Sequence, residues 1–165
     1  MNEGQANQIF TNSAFLPTAY GEFEIKAIAQ HKDDWMPHLV LVHKQIDINK
    51  PVTIRIHSEC ITGDLFQSSR CDCGDQLSRA MELVGQEHGI LIYLRQEGRG
   101  IGILNKLKAY NLQDEGYDTI KANTELNLPI DSRSYEIALN ALQALGVKQI
   151  KLITNNPEKM KAFDD

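Results

Sequence analysis

The stretch on which the fold turns is Ile90-Leu91-Ile92-Tyr93-Leu94-Arg95-Gln96-Glu97-Gly98-Arg99-Gly100-Ile101-Gly102. Its first five residues are a short apolar run, the pattern of a strand covered on both faces. The glycine-rich half follows, and Ile103, Leu104, Leu107 and Tyr110 then recur at helical spacing. Strand, glycine turn and helix in that order are the building unit of α/β sheets. Outward from this stretch, 21–28, 38–42 (HLVLV) and 52–56 (VTIRI) read as strands, the last two with β-branched residues and alternation. Residues 149–153 (QIKLI) form a second short apolar run, again read as a strand buried on both faces. Leu77, Ala80, Met81 and Val84 predict a helix, and Gly116 is a plausible stop for the one that begins at Ile103. Asp118 caps a short helix running to Leu126, with Asn127 at its C′ position. Tyr135, Ala138, Leu139, Leu142 and Leu145 define another, closed by Gly146, and Pro157 fits the first position of a last short one. The expectation is an α/β fold, a mixed β-sheet with flanking helices. Residues 1–14 are expected to be a frayed N-terminus and 15–165 the folded domain.

Composition narrows the function classes. A net charge of −5 over 165 residues disfavours a general nucleic-acid binder, which needs a basic surface to displace phosphate counterions. No apolar run approaches a membrane span, and the opening MNEGQANQIF lacks a charged region followed by an apolar one. The expected compartment is therefore cytoplasmic, where thiols stay reduced and three cysteines point to metal or reactivity before disulfides.

All three cysteines fall at Cys60, Cys71 and Cys73, and Cys71-Asp72-Cys73-Gly74 is a polar turn, unlike the setting of core cysteines. Catalytic zinc keeps three protein ligands and one water, whereas structural zinc is closed by four. The three thiols predict one open zinc site; His57 as a fourth ligand would make it a closed knuckle. Three thiolates offset the metal's charge and weaken its hold on water, so a nearby base such as Glu59 would help. Equally, Glu59 reads as a solvated carboxylate at a strand end.

The Gly98–Gly102 turn has glycines, Arg99 and a following helix N-terminus, all suited to phosphate, although a plain tight turn has the same look. It is neither a Walker loop nor a dinucleotide fingerprint. Thr154-Asn155-Asn156-Pro157 also follows a strand, where α/β sheets hold ligands, and Lys159 adds a positive charge. Asp131-Ser132-Arg133, before a helix, reads most simply as capping.

Taken together, the blocks Arg55-Ile56-His57-Ser58-Glu59-Cys60-Ile61-Thr62-Gly63-Asp64, Arg70-Cys71-Asp72-Cys73-Gly74, Arg95-Gln96-Glu97-Gly98-Arg99-Gly100-Ile101-Gly102, Asn105-Lys106-Leu107-Lys108-Ala109-Tyr110, Asp118-Thr119, Asp131-Ser132-Arg133 and Leu152-Ile153-Thr154-Asn155-Asn156-Pro157 resemble the GTP cyclohydrolase II family. The resemblance implies that fold and Cys60, Cys71 and Cys73 as ligands of one Zn2+ per chain. It implies Asp131 as proton acceptor and Arg133 as nucleophile on the α-phosphate, against the capping reading, and Tyr110 as an active-site tyrosine. Arg55, Ile56, His57, Ser58, Glu59, Gln76, Glu97, Gly98, Arg99, Thr119, Thr154 and Lys159 match GTP-contacting positions. The implied reaction converts GTP and water to 2,5-diamino-6-(5-phosphoribosylamino)pyrimidin-4(3H)-one, formate and pyrophosphate, with Mg2+ on the triphosphate. A homodimer, with neither nucleic acid nor membrane as partner, is implied as well. Two departures stand out: Asn127 replaces the usual Gly, and the chain stops at Asp165, short of a further strand and basic tail. The second departure motivates an alternative, a short, catalytically impaired paralogue acting as a guanine-nucleotide-binding regulatory module. A structural zinc module on nucleic acid is a third reading, disfavoured by the charge.

Overall fold

Six strands form one sheet: β1 (Asn12–Thr18), β2 (Gly21–Ile28), β3 (His38–His43), β4 (Val52–Ser58), β5 (Ile90–Leu94) and β6 (Ile150–Leu152), in the order β1-β2-β3-β5-β4-β6. The structure is a computed structural model that describes residues 12–29, 33–154, 156 and 160. β1 with β2, β2 with β3 and β3 with β5 are antiparallel, while β4 and β6 are parallel. The sheet is therefore mixed, as the sequence predicts. The helices are α1 (Ile61–Asp64), α2 (Cys73–Gln86), α3 (Ile103–Asp114), α4 (Thr119–Glu125) and α5 (Glu136–Ala144).

The chain divides into two compact units, one of Met1–His57, Gln76–Leu94 and Tyr135–Asp165, the other of Ser58–Asp75 and Arg95–Ser134. The first, the sheet unit, is a three-layer sandwich, and the two-residue period of its strands sorts the layers. Val40, Val42, Ile54, Ile56, Ile90, Ile92 and Leu94 point to one face and pack with Ala138, Ala141 and Leu142 of α5. Phe23 and Leu91 point to the other face, with Leu41 and Tyr93, against Ala80 and Val84 of α2. The second, the thiol unit, contains α1, the glycine turn, α3 and α4.

Several elements differ from the sequence reading. Residues 12–14, expected in the frayed terminus, begin β1, whose Pro17 pairs with Glu22. β1 is the sheet edge, where a missing N–H costs no ladder bond. β6 is also an edge strand and only half-buried, so the fully buried reading of 149–153 is corrected. β4 departs in the opposite sense. Its alternation suggests one wet face, yet Thr53, Arg55 and His57 are all buried, on the face opposite Ile54 and Ile56. Finally, α3 turns its apolar stripe outward: Leu104 is 74% exposed and Lys106 only 8%.

Helix ends follow the sequence closely. Gly116, Asn127 and Gly146 all have positive φ just past α3, α4 and α5. Each closes a paired hydrogen-bond cap, such as Leu128 N to Asn123 O at 2.9 Å with Asn127 N to Thr124 O at 2.9 Å. Asp118 accepts from Lys121 N at 2.8 Å, the predicted N-cap. Pro157, Asn155 and Lys159 lie outside the described residues.

Candidate functional site

Chain direction at the end of β4 starts the site. Cys60 caps the single turn of α1, its carbonyl accepting from Gly63 N and Asp64 N. Asp64 Oδ2 returns a bond to Cys60 N at 3.0 Å, which locks the turn. Cys71 and Cys73 arrive on the polar turn that opens α2. The three sulfurs lie within 4.8 Å of one another, with Cys60 and Cys71 Sγ 3.6 Å apart. Gly63 makes this approach possible: a Cβ there would stand 2.9 Å from Cys71 Sγ and 3.3 Å from Cys60 Sγ. No histidine belongs to the group found among the described residues, and His57 instead stacks on Tyr93 with ring centroids 5.5 Å apart.

The donor set fits zinc. Thiolates about 2.3 Å from a tetrahedral metal stand roughly 3.8 Å apart, close to the observed spacing. Burial alone would push the Cys60 thiol up, but bonds from the Lys106 ammonium, the Thr62 hydroxyl and the Gly63 amide outweigh it and leave it lowered. Burial and the neighbouring Cys71 and Cys60 sulfurs push Cys73 well up. Three sulfurs this close resist ionising together, and a divalent cation among them removes the conflict.

Around the thiols the polar groups are matched. Lys106 Nζ lies 3.1 Å from Cys60 Sγ and 2.7 Å from Glu97 Oε1. Glu97 also accepts from Gly98 N and Ile61 N, both at 2.7 Å, so its carboxylate faces inward. Glu59, the candidate base, is 8% exposed and holds Arg95 Nη1 at 2.7 Å. Tyr110 Oη sits 3.3 Å from Thr62 Oγ1, with the Arg70 guanidinium 4.6 Å from its ring centroid. Arg70 is itself forked onto Asp114 at 2.6 and 2.8 Å.

The glycine turn reaches a third cluster. Gly98, Arg99, Gly100 and Gly102 all have positive φ, and the turn uses most of its own amides: Gly98 N donates to Glu97 Oε1, Gly100 N to Gln96 O and Gly102 N to Glu97 O. Ser132 N donates to Arg99 O at 3.0 Å, and a Cβ on Gly100 would meet Ser132 Oγ at 2.5 Å. Glycine at position 100 thus lets the turn hold Ser132, with Asp131 and Arg133 on either side. Arg133 Nε donates to Asp131 Oδ1 at 2.9 Å and to Oδ2 at 3.0 Å, with Nη2 adding a further contact. The Arg133 guanidinium therefore holds the Asp131 carboxyl below its usual range. The capping reading of these residues fails: α5 begins at Glu136 with no side-chain cap.

The GTP cyclohydrolase II family model matches residues 9–165. The chain belongs to this family. GTP cyclohydrolase-2 of Picrophilus torridus is 48% identical over 157 residues, 94% of this chain and 81% of that protein. GTP cyclohydrolase-2 of Shewanella sediminis is 46% identical over 157 residues, covering 94% and 76%. Riboflavin biosynthesis protein RibBA of Chlorobium phaeovibrioides is 51% identical over 150 residues, but the chain spans only 36% of its length. Among solved structures, RibBX, a two domain 3,4-dihydroxy-2-butanone 4-phosphate synthase from A. baumannii, covers 92% of this chain at 20% identity and a TM-score of 0.43, too slight a likeness to argue from.

The positions that the family resemblance singles out fall in both units. In the sheet unit, Arg55 donates to Gln76 Oε1 at 2.8 Å and to Ile153 O at 3.2 Å, beside Thr154 in sequence. Ile56 is wholly buried in the core, so only its backbone is available to a ligand. In the thiol unit, Ser58 Oγ accepts from Gln96 Nε2 at 3.0 Å, and Thr119 opens α4, exposed. The sequence reading includes Lys106 and Gly63 in the family blocks but assigns neither a role. Lys106 carries no local signal, since one lysine on an amphipathic helix looks solvated; the ITG that follows Cys60 does signal a close approach. No helix among the described residues is long and apolar enough to cross a membrane.

Proposed function

We propose that this chain holds one zinc ion on Cys60, Cys71 and Cys73 and hydrolyses GTP to 2,5-diamino-6-(5-phosphoribosylamino)pyrimidin-4(3H)-one, formate and pyrophosphate, the opening step of riboflavin biosynthesis. The reading includes Mg2+ on the triphosphate, a homodimer and a cytoplasmic location. Its main support is one arrangement within the thiol unit: three sulfurs within 4.8 Å of one another, beside a glycine turn that holds the Asp131–Arg133 pair.

When bound, zinc would supply a Lewis acid that acidifies water for attack on the imidazole carbon of guanine. The chain's own residues do the rest. Arg99, on the exposed side of the glycine turn, binds phosphate oxygens. Arg133 attacks the α-phosphorus; the bond to the β-phosphate oxygen breaks and pyrophosphate leaves, and water then cleaves the Arg133 N–P bond to free the monophosphate and restore the guanidinium. A guanidinium is protonated at any ordinary pH, so it needs a proton acceptor in contact. Asp131 Oδ1, 2.9 Å from Arg133 Nε, is that acceptor. Tyr110, fixed by Thr62 and Arg70, orients groups near the sulfurs. Glu59, bound to Arg95, serves as a fixed charge, or as a base once that contact opens. Arg55, Ile56, His57, Ser58, Gln76, Glu97, Gly98, Thr119, Thr154 and Lys159 are the remaining proposed GTP contacts.

The test is mass-spectrometric identification of products from GTP with Mg2+ and zinc-replete protein. Formate, pyrophosphate and the pyrimidinone are expected. Cys71→Ser should abolish ring opening, and Arg133→Ala should impair pyrophosphate release. Absence of formate from the wild-type protein would remove the reading.

A further inference from the structure

Lys106 is the one lysine in the buried class among the described residues, at 8% exposure. A buried ammonium is costly unless it is paired and hydrogen-bonded. Its Nζ has two partners, Glu97 Oε1 at 2.7 Å and Cys60 Sγ at 3.1 Å. Glu97 is in turn fixed by the amides of Gly98 and Ile61, and Ile61 directly follows Cys60. The ammonium is thus placed by a carboxylate that is itself placed by backbone, on the shoulder of one sulfur. The helix that carries it leaves Leu104 74% and Leu107 46% exposed, against the usual preference of such a stripe for the interior.

We propose that Lys106 is a positioning residue of the metal centre: its ammonium donates to Cys60 Sγ, draws electron density from that sulfur and strengthens the bound metal as a Lewis acid. The proposal rests on the zinc reading above. Three thiolates outweigh a divalent ion's charge, and a donor on one sulfur lessens how much that thiolate gives to the metal. Partners behind a metal ligand tune affinity and reactivity in this way. Glu97, in contact with the ammonium, offsets its charge, but the ammonium is the group that donates to sulfur.

The test uses cobalt(II) as the probe in the full chain, comparing wild type with Lys106→Met and Lys106→Arg. In Lys106→Met the sulfur-to-cobalt charge-transfer band should move to longer wavelength and metal affinity, by chelator competition, should shift about tenfold. The pH midpoint of formate release should rise. Lys106→Arg, which keeps a cationic donor, should restore most of the band position. If Lys106→Met does not fold, Lys106→Gln carries the test, with a band at longer wavelength than that of wild type and Lys106→Arg. A lowered melting temperature with an unchanged band, affinity and pH profile would reduce Lys106 to a structural pair with Glu97. A wild-type protein that takes up no cobalt would instead remove the metal reading, and this proposal with it.

Discussion

The sheet unit and the thiol unit both bury polar groups, His43, Thr53, Arg55 and His57 in the first, but they differ in the apolar company those groups keep. Every large, fully buried side chain among the described residues, from Phe23 and Val40 through Ile54, Ile56 and Val84 to Ile90, Leu91, Ile92 and Leu94, belongs to the sheet unit. The thiol unit buries Glu59, Cys60, Glu97, Lys106 and Asn123, with only Ala109 and Ala122 as apolar company. Its larger apolar residues, Leu65, Phe66, Leu104, Ile120 and Ile130, are exposed. One unit is organised by excluding water from aliphatic groups, the other by matching charged groups around sulfur. A small region with little apolar core needs another source of stability, and a metal on three thiolates is a fitting one.

The strongest test of this contrast removes the metal. Chelation, or Cys71→Ser, is expected to strip protection from amides of α1 and α3 in hydrogen exchange while amides of β3 and β5 stay protected. Equal loss in both would break the contrast. The mirror experiment is Ile54→Ala, which empties a site of zero exposure in the sheet unit. It should lower unfolding free energy by about 2–5 kcal/mol in denaturant titrations and leave the cobalt spectrum of the thiols unchanged. The smallest effect is expected from Leu104→Lys. With that side chain exposed, stability should change by less than about 0.5 kcal/mol. A loss several times larger would show that the α3 stripe is covered after all.

Legibility did not follow that divide; it followed the range of the interaction. The apolar run of β5, the helices α2 and α5 and the three left-handed caps at Gly116, Asn127 and Gly146 could be read because each is a local pattern with a local cause. The cysteine cluster was legible for the same reason, since Cys71 and Cys73 announce themselves within one turn. β1 was missed because Pro17 argues against a strand unless the strand is known to be an edge. The burial of the polar face of β4 could not be read because its alternation says nothing of α2 lying over that side. Asp131 and Ser132 looked like caps because they precede a helix, but Arg133 and the Arg99 carbonyl use their polar groups instead.

The sequence by itself determined most of the strands and helices, the candidate metal-ligand types and the family. Those rest on side-chain periodicity, backbone conformational preference and ligand chemistry, all carried by neighbours in the chain. Only the tertiary structure decided that Lys106 is inside while Leu104 is outside, that Glu97 faces the sulfurs and that Gly100 holds Ser132. Each of those depends on a partner between 9 and 46 positions away. The free energy of burying a charge is set by that partner and by no property of the residue alone.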